Sequence, residues 1–304
     1  MSKQQDKVTA STYPVISLML WISFYAGLPC TIFIVLALTL GRVLPDGGQL
    51  AYIAYRDASA GVYLLDINRG LSFLLAVGVN EFLPPSWSPD GQALAFTSRD
   101  DDSHEIMVLD VAMGRRLSLT NTTAGSFAPA WSPDGHNIAF LSRGSAAGLY
   151  VMDSHGDNMR LVTQHTRDVA PTWLPGGEQI AYIRDEQSFP VYVTDLDGAE
   201  QYRMTDTRFM VYPPVWSPDG QFVAFVSPDL HIFSMNAGGG GLRQITHNTY
   251  VVSPLSWSPD GRQLAFAAVT DGNQELFVIG SDGENLRRLT WTAERESMPA
   301  WRPS

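Results

Sequence analysis

The side chains able to do chemistry in this 304-residue chain are scattered, and no short motif gathers them. Its six histidines show no H-x-x-x-H or H-E-x-x-H spacing that would set two imidazoles on one helical face for a metal. Asp100-Asp-Asp-Ser-His-Glu105 clusters the oxygen donors that hard cations favour. Elsewhere in the chain, however, the same place holds a polar hairpin, with Glu275 in the position of Glu105, so a turn without metal is expected. No Gly-x-Ser-x-Gly elbow presents a nucleophilic serine. Gly238–Gly241 lacks the Lys-Ser/Thr that a phosphate loop requires, and reads as a flexible hairpin. Asn121-Thr-Thr has the form of a glycosylation sequon. What remains is a set of loop residues, His165, Arg167, Asp168, Tyr212, His247, Arg295 and Glu296. Their imidazole, guanidinium, phenol and carboxylate groups can recognise a polar ligand or move a proton, provided the fold brings them together.

Charge narrows the class of ligand. The formal net charge of -11 argues against nucleic acid, which is held mainly by Lys and Arg on phosphates. A surface so acidic is repelled by anionic lipid as well, which leaves neutral and cationic partners open. Cys30 is the only cysteine, so no internal disulfide can form.

From Pro14 to Gly41 the chain carries no charged residue. A helix rises about 1.5 Å per residue and crosses a hydrocarbon core of about 30 Å in roughly 20 residues. This run exceeds that length, and it exceeds the roughly 7–15 apolar residues of a cleaved signal peptide. The expectation is one transmembrane α-helix over 14–41, with a kink at Pro29, after a short tail over 1–13. Lys3 and Lys7 before the span weakly favour the tail inside and residues 42–304 outside the cytoplasm.

The elements that must position the loop residues are repeats. Trp-Ser-Pro-Asp-Gly occurs at 87–91, 131–135, 216–220 and 257–261, with a degraded copy, Trp-Leu-Pro-Gly-Gly, at 173–177. With Trp301 the tryptophans step by 44, 42, 43, 41 and 44 residues, and one step back from Trp87 lands on Val43-Leu-Pro-Asp-Gly47. After each turn come a short apolar strand such as Ile138-Ala-Phe140, a second such as Leu149-Tyr-Val-Met-Asp153, and a third stretch often ending in Leu-Thr, as at Leu119-Thr120 and Leu289-Thr290. Counting the Trp strand, each unit has four strands, the period and content of a propeller blade. The first unit holds only three strands, and Ser297–Pro303 is a lone Trp strand. Pairing the two ends makes an all-β, six-bladed β-propeller of four-stranded blades, closed by the C-terminal strand.

Trp131-Ser-Pro-Asp-Gly-His-Asn-Ile-Ala-Phe140 leading to Leu149-Tyr-Val-Met-Asp153 resembles the PD40, or TolB-type, WD40-like propeller repeat, and the resemblance covers residues 43–303. Propellers of this kind also occur in tricorn-like and prolyl-oligopeptidase-type proteases beside a separate catalytic domain, for which this sequence leaves no room. TolB-type proteins carry an α/β domain before the propeller, where this sequence has its apolar run. The resemblance implies the fold and not a function. In a propeller, ligands usually meet the channel mouth, lined by the loops entering each Trp strand, and these loops hold the seven residues named above. The expected activity is binding of a protein, peptide or glycan partner there, without a cofactor. The alternative is a hydrolase or lyase at the same mouth, which needs converging His, Arg or carboxylate groups.

Overall fold

The structure, a computed structural model, describes residues 48–56, 59–99, 104–164, 168–184, 186, 190–204 and 212–304, with Asp168 and Val169 described by backbone alone. The expected tail and span over 1–13 and 14–41 lie outside the described residues. Among those residues no helix is long and apolar enough to cross a membrane.

The described residues form six antiparallel four-stranded sheets. In chain order the strands are β1 (Gln49–Arg56), β2 (Ser59–Asp66), β3 (Leu71–Val77), β4 (Ser86–Trp87), β5 (Ala93–Thr97), β6 (Ile106–Asp110) and β7 (Arg115–Ser118). There follow β8 (Ser126–Trp131), β9 (Asn137–Ser142), β10 (Gly148–Asp153), β11 (Arg160–Thr163), β12 (Asp168–Trp173), β13 (Gln179–Arg184), β14 (Val191–Asp195) and β15 (Gln201–Arg203). The last are β16 (Val215–Trp216), β17 (Phe222–Val226), β18 (Ile232–Asn236), β19 (Arg243–Gln244), β20 (Ser256–Trp257), β21 (Gln263–Thr270), β22 (Asn273–Gly280), β23 (Arg287–Arg288) and β24 (Arg295–Trp301). Blade 1 has the order β24-β1-β2-β3, and blades 2 to 6 take four consecutive strands each. The Trp strands neighbour one another around the ring, β24 beside β4, β4 beside β8 and β20 beside β24, so they line the central axis. The six-bladed ring and its closure by the last strand are as the repeat arithmetic implies.

Blades pack face to face, so their middle strands are buried on both sides and read as continuous apolar runs rather than alternating ones. In β1, Leu50 to Ala54 are all buried. An alanine recurs in each of these strands, at Ala51, Ala95, Ala139, Ala181, Ala224 and Ala265, each fully buried where the sheets approach. The next residue is aromatic and meets its cross-strand partner. Tyr52 faces Tyr63, Phe140 faces Tyr150, Tyr182 faces Tyr192, Phe225 faces Phe233 and Phe266 faces Phe277, with ring centroids 5.6 to 6.0 Å apart. In blade 2 the pair is Phe96 and Met107. Such pairs add about 0.5–1.5 kcal/mol beyond area burial.

The repeated motif is a self-contained turn. In each intact copy the Ser hydroxyl donates to the Asp carboxylate, at 2.5–2.6 Å, and accepts the backbone N–H five residues on, at 2.9 Å. Gly91, Gly135, Gly220 and Gly261 take φ of 64–74°, the left-handed region that the turn requires. Those hydroxyl bonds hold the Asp134, Asp219 and Asp260 carboxyls below the usual carboxylate range. The tryptophans then link blades. The indole N–H of Trp87 donates to Ala300 O, that of Trp173 to Ala130 O and that of Trp257 to Val215 O, each acceptor lying just before the Trp of the preceding blade. Where that preceding residue is serine, its hydroxyl accepts the next Trp backbone N–H instead, Ser86 from Trp131 and Ser256 from Trp301.

Prolines decide how far the axial strands reach toward the mouth. Ala128, Ala170 and Met298 each precede a proline and take φ of 53, 37 and 53°, a bulge that lets β8, β12 and β24 extend to 6–7 residues. Pro84 and Pro213 stand at the equivalent place in blades 2 and 5. Their rings fix φ near -65°, which forbids that bulge. There β4 and β16 are two residues long.

At the closing seam, β1 pairs with β24 from Leu50↔Trp301 to Tyr55↔Arg295. The recurrent Leu-Thr shows its purpose here. Thr290 Oγ accepts the Leu276 N–H at 2.9 Å and donates to the buried Glu275 at 2.7 Å, and Thr120 does the same for Ile106 and Glu105. Glu105 also accepts the Thr122 N–H at 2.8 Å, so this carboxylate is spent on a loop rather than offered to a cation. Ser126 occupies the matching spot between blades 2 and 3, whereas the seam has Glu296, which is fully buried. Glu296 accepts from Thr292 at 3.2 Å and pairs with Arg56 at 3.4 Å, while its second oxygen lacks a partner. Burial raises its pKa, the neighbouring Glu275 charge adds to the rise, and the Thr290 and Thr292 hydroxyls and Arg56 oppose it.

Two outcomes follow from this packing. Trp87→Phe is expected to lower stability by about 1 kcal/mol, because Ala300 O loses its donor. Trp131→Phe, whose indole N–H is buried without a partner, is expected to cost less, and paired denaturant titrations compare them. Because the folded protein holds the Glu296 proton more tightly than the unfolded chain, stability contributed by this group is present at acid pH. It is lost as pH rises from the ordinary carboxylate value to the raised one. Glu296→Gln is therefore expected to raise Tm at pH 8, as read by thermal denaturation. That gain should shrink as pH falls through the ordinary glutamate value and vanish by about pH 3, where the wild-type group is protonated in both states.

Candidate functional site

Antiparallel blades put every Ser-Pro-Asp-Gly turn at one end of the ring. The loops entering the axial strands and the hairpins between the second and third strands lie at the other, the mouth. Of the seven loop residues, His165 and Arg167 lie outside the described residues. Asp168 opens β12, where its Cα pairs with that of Arg184. His247 is exposed in the loop after β19. In that loop Tyr250, 60% exposed, stacks on His231 at 5.7 Å. Tyr212 is half-buried against the core between blades 5 and 6. Burial pushes its phenol pKa up, and the Arg295 charge opposes that rise. Arg295 and Glu296 are adjacent in sequence and opposite in fate. Arg295 is exposed, and Glu296 turns into the seam to meet Arg56.

Around Arg295 the structure adds residues that the seven do not include. Tyr55 is its Cα partner across β1 and β24, and Ile53 pairs in the same way with Ser297. All four share the face turned toward blade 2. From blade 2 come Glu81 and Arg99, whose Nη1 donates to both Glu81 oxygens at 2.9 and 2.8 Å. These six residues line a cavity of about 310 Å³. Phe82, 59% exposed, lies at its edge with the Arg295 guanidinium 5.7 Å from its ring centre. Phe82 is set by an Asx turn, its N–H donating to Asn80 Oδ1 at 2.9 Å. Chemically the place offers two guanidiniums, one carboxylate, a phenol and an exposed aromatic ring, with Tyr55 and Arg295 on paired strands and Glu81, Phe82 and Arg99 on the loops of blade 2. That is equipment for recognition. Sequence could mark Glu81 and Phe82 as loop residues, but bringing Tyr55 and Arg99 to Arg295 needs the closure of the ring.

The PD40 family, described as the TolB β-propeller domain, matches residues 37–188 and 143–304. No curated protein matches the chain. Among solved structures, TolB from Acinetobacter baumannii superposes with a TM-score of 0.74 at 20% identity, over 84% of this chain and 67% of that one. A chain of a nidogen/laminin complex gives 0.63 at 10% identity, over 83% and 98%. An oligogalacturonate lyase in complex with manganese gives 0.52 at 17%, over 77% and 86%. At these identities the likeness is one of fold, shared by a lyase and by a chain from a protein complex. The two matched segments together take in every described blade, and the chain belongs to the PD40 family of TolB β-propeller domains.

Proposed function

We propose that the protein is a membrane-anchored propeller that binds a protein or peptide partner, or a glycan, through the loops of its channel mouth. The observation that carries this reading is the exposed Arg295, Phe82 and Tyr55 group, fixed on closed blades beside a cavity. Large aromatic rings and arginine left in solvent on a rigid frame are the residue types that dominate protein interfaces. The described acids at this place favour recognition over proton transfer. Glu81 is engaged by Arg99, and Glu296 is sealed with Arg56. The TolB and nidogen likenesses accord with a propeller that meets other proteins. The uncharged run from Pro14 to Gly41 supports an anchor, and the lysines before it support a propeller outside the cytoplasm.

Capture from detergent-solubilised membranes tests the binding. The full chain is expected to retain a partner that the variant Phe82→Ala, Tyr250→Ala, Arg295→Ala loses while keeping its Tm. Equal recovery by both would remove the mouth from consideration. Orientation has its own test, because no lysine follows Lys7 and every cation beyond it is arginine. A membrane-impermeant amine reagent can therefore modify only the N-terminal tail. The expected result is labelling after lysis and none on intact cells, and labelling of intact cells would reverse the topology.

A further inference from the structure

We infer that the cavity between blades 1 and 2 is a carboxylate-binding subsite, which seats an acidic side chain of a peptide partner with an apolar neighbour on Phe82. This rests on the mouth-binding reading and specifies what the mouth selects. The geometry starts from Arg295. Its Nε donates to Gln274 Oε1 of blade 6 at 2.6 Å, which orients the guanidinium, while the side chain lines the cavity beside Tyr55. Among the described residues Arg99 is held by Glu81 through Nη1 alone, which leaves its Nη2 and Nε for a ligand. Two guanidiniums fixed by their own side-chain partners lose little freedom on binding. Their planar donor pairs match the two oxygens of a carboxylate. The Tyr55 phenol, 46% exposed, supplies a further donor from the same face.

Charge sets the class. Among the described lining residues, two arginines against Glu81 leave one net positive charge, which suits a single carboxylate. A phosphate dianion would stand beside the Glu81 carboxylate with one charge uncompensated. The whole-chain charge of -11 acts at long range and is screened beyond about 8 Å at physiological salt. Contact with Arg295 and Arg99 is decided locally, so the acidic surface slows the approach of an acidic peptide without cancelling its docking. A volume of about 310 Å³ admits one such side chain with water and no larger cofactor. Phe82, exposed beside Arg295, covers the residue next to the acid.

The test uses the full chain in detergent micelles and labelled, amidated hexapeptides of sequence Ser-Leu-X-Leu-Ser-Gly, read by fluorescence anisotropy. X is Glu, Gln or phosphoserine, and labelled trigalacturonate is the fourth probe. The Glu peptide is expected to bind about tenfold more tightly than the Gln peptide. That preference should disappear in Arg295→Gln and in Arg99→Gln, both on the surface and checked by Tm, and persist in Met113→Ala at the opposite end of the ring. Arg295→Lys, which keeps the charge and loses the planar pair, is expected to retain only part of it. Absence of Glu binding, equal binding of Glu and Gln, or tighter binding of phosphoserine or trigalacturonate overturns the assignment. Partner capture that still depends on Phe82, Tyr250 and Arg295 would in those cases leave the mouth reading standing, whereas capture indifferent to them removes that reading itself.

Discussion

Everything else in this protein depends on the pairing of β24 with β1. A propeller without that pair is an arc of blades with two open sheet edges, and an open edge is a template for association. The pair sets the register Leu50↔Trp301, which places Ala300 under the Trp87 indole and brings Arg302 to Gly91 O at 2.8 Å and to Gln49 at 2.5 Å. One antiparallel ladder thus fastens blade 1 to itself and to blade 2. It also sets Arg295 against Tyr55, the first step in building the cavity at the mouth.

Among the described residues, the repeat positions are mostly spent on the frame itself. The motif serine and aspartate bind each other and their own turn, the tryptophans bind the preceding blade, and the threonines satisfy a strand N–H and, where present, a buried glutamate. Recognition must therefore come from residues that differ between blades. Glu296 in place of the serine found between blades 2 and 3 is one such difference. It strengthens no contact with solvent and adds a second carboxylate beside Glu275, at a cost that Arg56 offsets in part.

The fold was legible because its signals are local and repeated. A tryptophan period near 43 residues, turns with fixed chemistry and a missing first strand determine six blades and their closure. The mouth was legible only as a set of loops. Side chains alternate along a strand, so adjacent residues in β24 face opposite ways, and nothing local says that Arg295 takes the open side and Glu296 the sealed one. The extent of the axial strands hinged on a detail of the same kind. Pro84 and Pro213 forbid the bulge that Ala128, Ala170 and Met298 adopt. Tyr55 and Arg99 come to Arg295 from residues far away along the chain, a juxtaposition that exists only in the closed ring.

Closure also has a time. Arg56 and Glu296 are 240 residues apart, and they meet only after five further blades have been made. At about 5–20 residues per second, β1 leaves the ribosome roughly 10–50 s before its partner exists. Through that interval blade 1 has only three of its four strands, and the inner edge of β1 has no partner. The stretch of life in which this protein is most exposed to wrong pairings, and to any factor that guards against them, is its own synthesis.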